Sequence, residues 1–109
     1  MRNTLASYFV LHEGIPYWKV DWSDRREHVA EKGLTVDQAN EALEDPERLV
    51  IDPDPRSVTG DSVRIIGYSS TAQEVLTVVV VIHDSHLYGA TAWRANKHEL
   101  RLYWGGERI

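Results

Sequence analysis

The sequence predicts an α+β domain in which two helices precede a mostly antiparallel sheet of about four strands and a short helix closes the chain. Three observations predict it. A capping residue followed three positions later by Glu or Gln occurs at Asp24–Glu27, Thr35–Gln38 and Asn96–Glu99, and this spacing marks helix starts. Beyond Pro46 the apolar period falls to two, which is the period of a half-buried strand. Within that second half, Val75 to Ile82 is apolar almost throughout, as expected of a central strand covered on both faces.

Taken in order, residues 1–21 read as an extended hairpin turning at Glu13-Gly14. In its second arm Trp18, Val20 and Trp22 alternate with Tyr17, Lys19 and Asp21, and Pro16 suits an edge or a strand start. The first helix follows the Asp24 cap, with Trp22 placed to pack back on its first turn, and Gly33 supplies a left-handed stop. The second starts at Thr35 and carries Val36, Ala39, Ala42 and Leu43 as an apolar stripe until Pro46 ends it. Strands are expected near Arg48–Ile51, Ser62–Tyr68, Val75–Ile82 and Tyr88–Trp93. They are joined by the loop "DPDPRSVTGD", a hairpin at "SSTAQ" and a tighter turn at "HDSH". The last helix should lay Leu100, Tyr103 and Trp104 on the sheet, because so short a helix is unstable alone.

With 109 residues and no repeat, the chain is expected to form one domain over residues 1–109. It has no cysteine, so neither disulfides nor thiolate metal sites are available, and no cofactor is implied. The longest apolar run is too short to span a bilayer, and no signal-like start is visible, so a cytoplasmic protein without a membrane partner is expected. Charge is uneven. Residues 1–60 carry 12 acidic side chains against 7 basic ones, whereas residues 61–109 carry 5 of each. A net charge of −5 argues against a general nucleic-acid coat, although a small basic site is compatible with it. The segment "TAWRANKHELRLYW" is such a site in outline, gathering Arg94, Lys97, His98 and Arg101 among aromatics.

Three segments in this order resemble the BrnT-like branch of the RelE/ParE toxin superfamily, the toxin halves of bacterial type II toxin–antitoxin pairs. They are "WSDRREHVAEKGLTVDQANEALEDP", "VRIIGYSSTAQEVLTVVVV" and "TAWRANKHELRLY", which together span about residues 22–104. The resemblance implies a RelE/ParE-like core over 22–104, with residues 1–21 as an extension. It implies metal-independent RNA cleavage, in which a 2′-hydroxyl attacks the adjacent phosphate while fixed cations stabilise the developing charge. The implied partners are a cognate antitoxin and RNA. Carried onto this chain, the catalytic candidates are Arg64, Arg94, Lys97 and Tyr103, and the phosphate-binding candidates are His28, Lys32 and Arg101, with no metal.

The chain departs from the family pattern at three places. Glu31 and Lys32 stand where the family has a basic residue and His, and Trp93 stands where it has Arg, with Arg94 one position on. In a strand that shift sends the guanidinium to the opposite face. Arg64 lies two positions beyond the family's strand Arg and keeps its face. These departures motivate a second reading, a catalytically degenerate relative acting as a protein-interaction module. The residue patterns also admit plainer roles. Lys97 and Arg101 could cover apolar surface with their stems, Asp24–His28 could be an ordinary helix pair, and Tyr103 could be a core ring. Glu99 reads as a cap rather than a base. His83 and His86 lack a third ligand and read as a polar turn rather than a zinc site or a triad.

Overall fold

The computed structural model describes residues 20–105, so the N-terminal hairpin expectation falls almost wholly outside the described residues. Seven elements follow in order: α1 (Arg26–Ala30), α2 (Val36–Glu44), β1 (Leu49–Ile51), β2 (Ser62–Ser69), β3 (Glu74–His83), β4 (His86–Arg94) and α3 (Lys97–Tyr103). The four strands form one antiparallel sheet in sequence order, β1-β2-β3-β4. No helix among them is long and apolar enough to cross a membrane.

Two of the three capping boxes form as the sequence predicts. Thr35 accepts from the Gln38 amide and Asn96 from the Glu99 amide, and both are answered by the partner side chain. The first does not form. Asp21 instead accepts the Ser23 amide and hydroxyl, Arg25 becomes the cap without a side-chain bond, and α1 shrinks to five residues. Asp21 thus closes the turn before the helix, and no side chain caps α1 itself. Lys32 consequently lies beyond α1, in the turn leading to Gly33, whose φ of +76° is the left-handed stop.

Alternation along β2 sorts its side chains to two faces. Val63 and Ile65 join Val50, Leu76, Val78 and Val80 beneath α1 and α2, together with Trp22, Val29, Ala39, Ala42 and Leu43. Ile66, one position over, packs with Leu49, Val75 and Tyr103 under α3 on the other face. β3 lies between β2 and β4 and is buried on both sides, which is why its sequence shows no alternation. Gly67 lets α2 approach: a Cβ there would lie 2.1 Å from the Ala42 carbonyl oxygen. Gly89 does the same for Trp22, whose ring would meet a Cβ at 2.3 Å.

The β3–β4 turn places Asp84 and Ser85 at φ of 51° and 64°, the two positive angles of a two-residue hairpin. His83 and His86 are exposed beside it and face Asp84 and Asp21 at 3.4 and 3.6 Å. No group of three metal-ligating side chains occurs among the described residues. One expectation about α3 fails: Trp104 is 70% exposed, because the helix ends at Tyr103 and the tryptophan becomes its C-terminal cap.

Candidate anion-binding cleft

Arg64 leaves β2 on the α3 side of the sheet, and its guanidinium is held between two buried carboxylates. Asp54, from the β1–β2 loop, lies 2.8 Å from one terminal nitrogen, and Glu99, from the first turn of α3, lies 3.3 Å from the other. Glu99 is only 2% exposed and accepts two further hydrogen bonds besides that from Arg64: the Trp93 indole N–H at 3.1 Å and the Asn96 amide at 2.9 Å. Its capping role, expected from sequence, and its pairing role are therefore one arrangement.

Trp93 is the hub. Its cross-strand neighbour is Thr77, which puts it on the Arg64 side of the sheet, and the Arg64 guanidinium carbon lies 5.3 Å from its ring centre. The Lys32 ammonium, reaching over from the end of α1, lies 5.9 Å from the same ring. Lys32, Arg56, Arg64, Trp93, Asn96 and Glu99 line a polar cleft of about 330 Å³. Asn96 accepts the Glu99 amide through its side-chain oxygen, so its amide hydrogens are the donors it can offer.

The other candidates lie elsewhere. Arg94 pairs across the sheet with Leu76, a residue of the α2-side core, and so belongs to the opposite face from Trp93. There it bonds Glu74 at 2.8 Å and the carbonyls of Lys32 and Gly33 at 2.8 and 3.4 Å, tying β4 to the end of α1. Arg94 and Arg64 do not converge on one pocket. Tyr103 is 9% exposed and donates its hydroxyl to Asp45 at 2.5 Å. Burial, reinforced by the Asp45 carboxylate, holds that hydroxyl's proton to a pH well above the ordinary tyrosine range. Such a phenol is poorly suited to give up its proton. Lys97 and Arg101 are exposed on α3, and neither lines the cleft. His28 is half-buried on α1, 3.9 Å from Glu31.

Of the seven candidates, the fold thus brings together Lys32 and Arg64. It adds Arg56, Trp93 and Asn96, which sequence reasoning did not assign to the site. Arg56 sits in a loop with no periodicity to orient it. Trp93 carried one usable signal, since it stands where the sequence pattern expected a cation. No protein-family model and no curated protein sequence matches the chain.

Proposed function

We propose that the protein is a toxin-like component of a type II toxin–antitoxin pair, BrnT-like in descent, that is catalytically degenerate and acts as a protein-interaction module. The order of helices, antiparallel sheet and closing helix is compatible with that descent. One observation carries the reading: Arg64, the best-placed catalytic candidate, is clamped by the buried carboxylates of Asp54 and Glu99. A cation so neutralised offers little stabilisation to a phosphorane. Arg94 is engaged with Glu74 and two carbonyls, and Tyr103 with Asp45, so neither is free to move charge or protons at a substrate. The cognate antitoxin is the partner that this reading requires.

A second reading, metal-independent RNA cleavage, is favoured by the meeting of Lys32, Arg56 and Arg64 in one cleft. Incubation of the purified chain with RNA in EDTA separates the two. Intact RNA at high protein concentration is the expected result, with the protein co-purifying with the product of the neighbouring gene. Cleavage by the parent chain that is abolished by Arg64→Ala, in a variant that circular dichroism shows to be still folded, would establish the second reading instead.

A further inference from the structure

We infer that the cleft between Lys32, Arg56 and Trp93 is a socket for a single carboxylate side chain of a partner protein. The inference rests on the interaction-module reading and names the chemistry by which such a partner is held.

Charge decides the class of ligand. Three cations, Lys32, Arg56 and Arg64, line the cleft, against the carboxylate of Glu99 in its wall and that of Asp54 behind Arg64. Both acids are buried and both engage Arg64, so one positive charge remains in excess at the mouth. That excess matches one anion. A polynucleotide would bring a phosphate at every step to a chain of net charge −5. A protein side chain brings one carboxylate and apolar neighbours.

Geometry agrees with charge. Arg64 is prevented from swinging by its two internal partners, and Trp93 is fixed by its indole bond to Glu99. The Trp93 ring forms an apolar wall on which the carbon stem of an incoming glutamate can lie, with Lys32 above it. Lys32 and Arg56 are exposed, and supply the donors that close on the carboxylate, with the Asn96 amide beside them. The fixed part of the site is thus built from buried pairs, and the mobile part from two long side chains at its rim.

The test uses the full chain and three probes: a capped peptide with one glutamate flanked by neutral residues, its glutamine counterpart, and a single-stranded RNA trinucleotide. The indole N–H resonance of Trp93, assigned by its loss in Trp93→Phe, reports occupancy. The glutamate peptide is expected to shift it saturably, the glutamine peptide to bind at least tenfold more weakly, and K32Q/R56Q to weaken the glutamate peptide by a similar factor. Equal binding of the two peptides, or affinity indifferent to K32Q/R56Q, overturns the inference. So does an RNA trinucleotide that binds more tightly than the glutamate peptide, which would assign the cleft to phosphate. Capture of the neighbouring gene's product is scored in parallel. Peptide binding without capture counts against the toxin–antitoxin reading alone, whereas capture undiminished in K32Q/R56Q with no peptide shift counts against the socket alone.

Discussion

At the residue scale, Arg64 and Tyr103 show how groups suited to catalysis become structural. Replacing Arg64 with Ala leaves Asp54 and Glu99 buried without their cation, so a loss of about 3–5 kcal/mol is expected in chemical denaturation. Arg64→Lys should recover only part of it, because an ammonium cannot present two separated donors in the plane of a guanidinium. Tyr103→Phe removes a hydrogen bond to a charged acceptor and is expected to cost about 2 kcal/mol at neutral pH. Its pH dependence follows from the raised pKa. Below about pH 10 the hydroxyl is protonated in folded and unfolded chains alike, and the stabilisation is fully present. As pH rises further the unfolded chain releases this proton while the folded one retains it, so stability falls. Denaturant midpoints measured from pH 9 upward should fall less steeply for Tyr103→Phe than for the parent chain; parallel curves would show that burial does not hold the proton.

At the element scale, two positions test how the helix α2 is set. Thr35→Ala removes the cap that accepts the Gln38 amide, and a loss of about 1 kcal/mol in thermal or denaturant unfolding is expected. Gly67→Ala should cost more, about 3 kcal/mol. The new methyl would drive into the Ala42 carbonyl at 2.1 Å; its position is fixed by the β2 backbone and the carbonyl is itself backbone, so neither can rotate away. A neutral outcome there would mean that α2 rides further from β2 than the packing indicates. The far end of the same helix is held by Glu41, which accepts the hydroxyl of Ser69 at the end of β2 and the amide and hydroxyl of Thr71 in the β2–β3 turn. These bonds, the Thr71 amide first, hold its carboxyl below the usual glutamate range.

At the scale of the whole molecule, the sheet separates two groups of cations that the sequence presents side by side. Arg94 binds the end of α1 on the α2 face, and Arg64 meets Trp93 and Glu99 on the α3 face. RNA incubated with the chain in EDTA is accordingly expected to stay intact, as read on a denaturing gel. Cleavage lost in Arg94→Ala, if the variant keeps its thermal midpoint, would show that the two faces cooperate after all.

The sequence by itself determined the elements and most of their order. The Thr35 and Asn96 boxes, the stop at Gly33 and the unbroken apolar run of β3 are local signals, and each acts through neighbours within a few residues. It also contained the displacement of Arg94, because side chains one apart in a strand face opposite ways. Only the tertiary structure decided which charges meet. Asp54 and Arg64 are brought together by a long loop, Glu99 and Trp93 by a strand end and a helix start, and Lys32 by a turn that closes over the edge of β4. No spacing encodes those meetings, because electrostatic partners are selected by distance in space and by burial rather than by separation along the chain.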